Sequence, residues 1–362
     1  MDVAARLKGL RRKLKDDGAP AALISLTSNL KYITAFDGVI DRGINAACLI
    51  TDERAVLFTD SRYIEAATTA AAGGPWEVRL QKENLYVELC EELHSMDMNS
   101  LLIESGVPYG RFQFVSEQFR GAVRVVDRLV ETLRHMKEPE EIERIAAAAA
   151  IADRGFEHIL TVLKPGVTEA EIALELEFAM RREGSEEMPF SLIVASGPNG
   201  ARPHAIPGDR RLEPGDFVVL DFGARVGGYC SDMTRTVAIG EISKEHRRLY
   251  EAVLEANEAG LSAVRSGVPC IEIDLAAREV LDRQGLGAAF THGLGHGVGL
   301  DVHEMPTVGP KSTDAARENA VITIEPGVYV EGTAGVRIED LVVVEEHGVR
   351  ILSSAPKELI QI

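Results

Sequence analysis

Cysteine is scarce in this chain. Its four thiols, Cys48, Cys90, Cys230 and Cys270, are scattered through 362 residues and form no CxxC pair. That argues against a disulfide framework or a zinc ribbon. Long apolar runs are also missing: nothing approaches the roughly 20 residues that a membrane-spanning helix needs. The opening MDVAARLKGLRRKLKDDGAP reads as a basic amphipathic helix and lacks the apolar stretch of a signal peptide. A cytoplasmic protein with no membrane partner is therefore expected. Positive charge is in deficit, with a formal net charge of −18, which argues against nonspecific binding to nucleic acid. Walker-type loops and arginine-rich phosphate cradles are absent.

The hydrophobic fraction of 45% and the length suit a protein of two domains with a large core. Over the first 130 residues helical and strand patterns alternate. Residues 3–16 have helical periodicity, while AALISL (21–26), AACLIT (46–51), AVLFTD (55–60), SLLIES (100–105) and RVVD (124–127) read as strands. This alternation predicts an α/β layer domain. Pro139 in MKEPEEIERI fits the first turn of a helix and marks a boundary. Thr168 and Glu171 have capping-box spacing, with Gly184 as a stop. Helices are also predicted over 243–264 and 270–285. Between and after the helix pairs lie FSLIVAS, DFVVLDFG, MTRTVAIG, AVITIEPG and VRIEDLVVVEE, each read as a glycine-punctuated antiparallel strand.

Several of these strands contain acids where a carboxylate is costly. Asp221 sits in VVLDFG, Asp232 in CSDMTRT, Glu325 in ITIEPG and Glu339 in VRIED. Buried carboxylates held together repel one another and lose hydration. Two divalent cations would offset four such charges, which points to a two-metal hydrolase site. Asp221 and Asp232 are eleven positions apart across Gly227 and Gly228, so a hairpin would bring them to one end of a ladder. Glu325 and Glu339 repeat that layout across Gly332 and Gly335. The echo suggests two related halves facing one site.

Each acid alone has an ordinary explanation as a turn cap or a solvated face. Two acid-bearing hairpins flanking the histidine-rich HGLGHGVGLDVHE are much harder to explain that way. In that segment His292 and His296 have the spacing of a helical HExxH site, but Gly293, Gly295, Gly297 and Gly299 oppose a helix. The glycines are expected to admit close backbone approach to metal and substrate. The alternating glycines also do not fit a dinucleotide-binding loop.

Five segments, ASGPNGARPHA, LDFGARVGGYCSDMTRT, HGLGHGVGLDVHE, TIEPGVYV and GVRIEDLVVV, together resemble the pita-bread metallopeptidases of the proline-specific branch. That branch comprises aminopeptidase P, Xaa-Pro dipeptidase (prolidase) and creatinase. SNLKYITAFDG and DSRY resemble pieces of the creatinase-type N-terminal domain. The resemblance implies an α+β protein. Residues 1–130 would form a smaller α/β creatinase-type domain, and residues 131–362 a pita-bread catalytic domain.

The same resemblance implies roles for individual residues. Asp221 would chelate one metal, Asp232 and Glu339 would bridge, and His296 and Glu325 would bind the second. His204 and His303 would contact substrate or developing charge, with His292 and Arg337 orienting ligands from outside. Glu325 would also shuttle a proton. Two divalent ions per subunit are implied, manganese first, with cobalt or zinc as alternatives. The implied partner is a peptide with proline at its second position, and the implied assembly is a homodimer. All five ligand positions are filled, unlike in creatinase or in inactive binding modules of this fold. Many prolidases carry an arginine where Thr307 aligns, so aminopeptidase P-like action is expected ahead of strict dipeptidase action.

Overall fold

The computed structural model describes residues 1–40 and 44–362. The chain divides into two compact units, Met1–Arg134 and His135–Ile362.

In the first unit, a six-stranded sheet comprises β1 (Ala21–Ile24), β2 (Ala46–Thr51), β3 (Ala55–Thr59), β4 (Glu77–Leu80), β5 (Ser100–Glu104) and β6 (Ala122–Val126). The strand order is β4-β3-β2-β1-β5-β6. The pairs β1–β2 and β2–β3 are antiparallel, whereas β3–β4, β1–β5 and β5–β6 are parallel. Helices α1 (Val3–Asp16), α2 (Thr27–Thr34), α3 (Ile64–Ala71), α4 (Leu85–Ser95), α5 (Tyr109–Gln118) and α6 (Glu131–Arg134) complete it. Leu23, Leu49 and Phe58 pack against Leu89, Leu93 and Val115 in its core. The exposed β4 and the short α2 carry weak apolar patterns and had no counterpart in the sequence reading.

The second unit repeats one arrangement. Helices α7 (Pro139–Leu160) and α8 (Glu169–Arg182) precede β7 (Ile193–Ser196), β8 (Phe217–Phe222), β9 (Arg225–Val226), β10 (Tyr229–Cys230) and β11 (Met233–Ala238). Then α9 (Lys244–Ala263) and α10 (Cys270–Arg283) precede β12 (Gly295–Gly297), β13 (Glu304–Val308), β14 (Val321–Ile324), β15 (Gly327–Val330), β16 (Ala334–Arg337), β17 (Asp340–Glu345) and β18 (Gly348–Ile351). Each helix pair covers its own sheet. Ile151, Phe156, Leu176 and Met180 pack on Val194, Val218 and Leu220. Leu249, Val253, Ile273 and Leu281 pack on Ile322, Ile324 and Val342.

The helix signals act as read. Pro139 occupies the first turn of α7, where its missing N–H costs nothing. Thr168 and Glu171 close a reciprocal capping box on α8. Gly184, with φ of +104°, follows the end of that helix. All four cysteines are buried free thiols. No helix among the described residues is long and apolar enough to cross a membrane.

One expectation is corrected and another gains a second cause. VRIEDLVVVEE does not form one strand. It breaks between Arg337 and Asp340, so that β16 pairs with β15 while β17 pairs with β14. The alternating glycines near His296 make room for neighbouring strands, while Gly293 and Gly295 also line the cavity described below. A Cβ on Gly295 would lie 2.0 Å from the Thr323 carbonyl oxygen, and one on Gly297 2.0 Å from that of Met305. Only bare backbone fits between β13 and β14 there.

These observations predict two unequal losses of stability, measurable by thermal unfolding. Thr168→Ala should cost about 1 kcal/mol, as loss of a cap does. Gly295→Ala should cost at least about 3 kcal/mol, because backbone must move. Equal melting temperatures for the two variants would show that β12 has slack.

Candidate metal centre

Each half of the second unit builds a hairpin within a hairpin. In the first, β8 and β11 form the outer ladder, with Thr234 opposite Asp221. The inner pair, β9 and β10, turns through Gly227 and Gly228, whose φ of +56° and +81° suit a two-residue hairpin loop. Asp232 precedes β11 by one residue. It lies two positions before Thr234 and therefore shares a face with it. In the second half, β14 and β17 are the outer ladder, with Ile324 opposite Asp340. Glu325 and Glu339 follow next in register, where the inner pair β15–β16 begins.

The two carboxylate pairs meet. Asp221, Asp232, His296, Glu325 and Glu339 line one cavity of about 370 Å³, together with His204, His292, His303 and Arg337. Phe190, Ser191, Ile193, Pro203 and Thr307 supply other parts of its wall. Asp232, His296 and Glu339 each offer an atom within 4.8 Å of the others. Asp221 and Glu325 line the same cavity outside that tight cluster. His296 Nε2 lies 3.2 Å from Glu325 Oε1 and 3.6 Å from Asp232 Oδ2. Its Nδ1 is 3.1 Å from the Gly297 carbonyl. Donation there turns Nε2 toward the acids, where a cation would take the place of its proton.

Comparison with known proteins accords with this geometry. Residues 143–346 match the family described as Metallopeptidase family M24. Residues 6–136 match the Creatinase/Prolidase N-terminal domain. The chain belongs to metallopeptidase family M24. An uncharacterized peptidase of Bacillus subtilis (strain 168), YqhT, is 38% identical to the enzyme over 357 residues, spanning 98% of this chain and 99% of that protein. A solved Xaa-Pro dipeptidase from Bacillus anthracis has a TM-score of 0.95 at 35% identity, covering 100% of both chains. An X-Pro aminopeptidase from Thermotoga maritima MSB8 has a TM-score of 0.85 at 36% identity, covering 95% of this chain and 98% of its own.

The donor set of the peptidase fits divalent cations. Asp221 Oδ1, Asp232 Oδ1 and Glu339 Oε1 are buried and make no hydrogen bond. Such oxygens are costly unless positive charge serves them. Burial pushes Asp232 and Glu339 well above the ordinary carboxylate range, and the neighbouring acids add to the shift. Asp221 is raised less, because burial is opposed by the Arg337 guanidinium. Glu325 behaves oppositely. Burial works against its charge, but His296 and the nearby cationic groups outweigh it and hold the carboxyl at about 2.

Two hydroxyls unmarked in the sequence reading organise the enzyme's cage. Thr234 Oγ1 donates to Glu339 Oε2 at 2.6 Å and accepts from Arg337 Nε at 3.0 Å. Arg337 also grips Asp221 Oδ2 and donates to the Tyr329 hydroxyl at 2.7 Å. Tyr329 lies 2.9 Å from His292 Nε2, and His292 Nδ1 is 2.8 Å from the Gly293 carbonyl. These distances describe a relay from Arg337 through Tyr329 to His292. Burial lowers the His292 pKa and raises that of Tyr329 to about 12, so both are neutral near pH 7. The sequence signal for Tyr329 is its place in TIEPGVYV, four residues after Glu325.

His303 packs against His296 with ring centroids 4.1 Å apart and ring planes inclined by 49°. Burial and the charge of His296 bring His303 down to about 4. At neutral pH it presents one N–H and one lone pair to the cavity.

Cation binding competes with protonation of Asp232 and Glu339, which burial and mutual repulsion favour. Their raised pKa values set the sign: affinity rises with pH and is lost on acidification. Titration calorimetry in buffers of different ionisation enthalpy should show proton release and an affinity at about pH 8 at least tenfold above that at about pH 6. Binding with no proton release would contradict the stated charge balance.

Proposed function

We infer that the enzyme hydrolyses the bond between the N-terminal residue of a peptide and a proline at the second position, using two divalent cations. The observation carrying this reading is one cavity holding four carboxylates and the His296 imidazole, in which three carboxylate oxygens lack any protein partner. Asp221 would hold one cation, His296 and Glu325 the other, with Asp232 and Glu339 shared. The cations, when bound, supply Lewis acidity to the scissile carbonyl and lower the pKa of the attacking water toward neutrality.

The chain's own groups do the rest. Arg337 fixes the Asp221 carboxylate, and Thr234 fixes that of Glu339. Glu325 takes up the proton released by the attacking water. His204 and His303 hydrogen-bond the developing oxyanion and hold the peptide. Support for proline comes from the relatives named Xaa-Pro dipeptidase and X-Pro aminopeptidase, and from the apolar wall of Phe190, Ile193 and Pro203. Manganese as the working ion, with cobalt or zinc as substitutes, homodimeric assembly and a cytosolic setting belong to the same proposal.

Aminopeptidase action on longer peptides is favoured over strict dipeptidase action. Among the described residues the wall contains one arginine, Arg337, and it is committed to Asp221, Tyr329 and Thr234. Thr307 offers no charge to the free carboxylate of a dipeptide. The second reading, a prolidase, has the likeness to the Bacillus anthracis dipeptidase in its favour.

Metal-stripped enzyme reconstituted with manganese, cobalt or zinc should cleave Ala-Pro-Ala at least as fast as Ala-Pro. Cleavage confined to the dipeptide would establish the prolidase reading instead. Asp232→Asn should lose bound metal and more than roughly 100-fold of activity together. An active Asp232→Asn enzyme with full metal content would remove Asp232 from the site.

A further inference from the structure

The loop that carries His204 is fastened at both ends by one side chain. Glu169, the first residue of α8, is fully buried. Its Oε1 accepts from the Ser196 backbone N–H at 2.7 Å and from the Ser196 hydroxyl at 2.7 Å. Its Oε2 accepts from Asn199 Nδ2 at 2.8 Å and from the Gly208 N–H at 3.2 Å. Ser196 ends β7, and Gly208 lies twelve residues on. Between them Pro203 and His204 reach the cavity wall. A carboxylate offers about four acceptor positions, so these four donors use its capacity on the two ends and the first turn of one loop.

An ion pair closes the base of the loop. Arg210 Nη1 donates to the Ser196 hydroxyl oxygen at 2.6 Å and to Asp216 Oδ2 at 2.6 Å, and Nη2 reaches Asp216 Oδ1 at 3.0 Å. Gly197 has φ of +47°, and a Cβ there would lie 2.4 Å from Asp216 Oδ1. The turn also rests against the strand that carries Arg337, since a Cβ on Gly335 would meet the Gly200 carbonyl oxygen at 1.9 Å. None of the five ligand candidates lies on this loop. Arg337, which grips Asp221, touches the loop only through a long 3.5 Å contact from Nη1 to the Pro203 carbonyl, so the Glu169 clasp is a separate hold on the His204 arm.

We propose that Glu169 is a positioning residue for catalysis: its carboxylate clasps the 196–208 loop and so sets His204 against the peptide. This rests on the proposed peptidase reading, in which His204 contacts substrate. Glutamine at position 169 would keep one acceptor and place two donors where the carboxylate accepts. Turned toward Ser196, its oxygen leaves the amide facing the N–H of Gly208, and that end is released.

The test combines Glu169→Gln with His204→Ala in manganese-loaded enzyme acting on Ala-Pro-Ala. Glu169→Gln should keep its bound metal and lose about 10- to 100-fold in kcat/KM, the scale of a misplaced catalytic arm. The loss should divide between kcat and KM as it does in His204→Ala. In the His204→Ala background Glu169→Gln should cost less than about twofold more. Amide hydrogen exchange at Gly208 should quicken in Glu169→Gln, with Ser196 and the cage strands unchanged. Asn199→Ala, which removes a single donor, should shift the same quantities less and guards against a Glu169 variant that does not fold. Losses that multiply in the double variant, unaltered exchange at Gly208, or loss of metal would each overturn the proposal. Full hydrolysis by His204→Ala would instead remove His204 from the proposed function and leave the clasp nothing to aim.

Discussion

Repulsion among buried acids is the constraint from which the rest of the second unit follows. Asp221, Asp232, Glu325 and Glu339 converge on one cavity, and their mutual cost is met in three ways. Arg337 neutralises and orients Asp221. The Thr234 hydroxyl serves one oxygen of Glu339. Oxygens with no protein partner remain on Asp221, Asp232 and Glu339, and those define the place for divalent cations.

The halves that deliver those acids are joined at the cavity floor. Thr236 Oγ1 accepts from the Arg337 N–H at 3.2 Å and donates to its carbonyl at 2.9 Å. Fully buried Arg235 pairs with Asp340 at 2.8 Å, and Lys357 holds the other oxygen of Asp340 at 2.7 Å. Breaking one member of such a buried pair costs several kcal/mol, because the partner charge is stranded. These contacts fix the distance between the Asp221–Asp232 and Glu325–Glu339 ends of the two ladders.

The parts legible in the sequence were those where a residue contradicts its surroundings. Acids inside apolar runs exposed the cage, and glycines at a fixed offset between them exposed both hairpins. Pro139 and the Thr168–Glu171 pair exposed helix starts, because capping is local chemistry. What stayed hidden depended on long-range partners. The break between β16 and β17 falls inside an unbroken apolar pattern, and only the separate partners β15 and β14 create it. Thr234 and Tyr329 are ordinary residues by sequence, and Glu169 looks like one more acid in a helix's first turn. The glycines around His296 are visible in the sequence, but the pair of strand backbones that also requires them is announced by no local pattern.

Neither nested hairpin is a weaker version of the site by itself. One contributes Asp221 and Asp232, the other Glu325 and Glu339, and each without the other presents two acids to solvent. A partial opening that parts them leaves no reduced form of the centre behind. The enzyme's working state is therefore binary, and whatever margin of stability keeps the halves together is also its margin of activity.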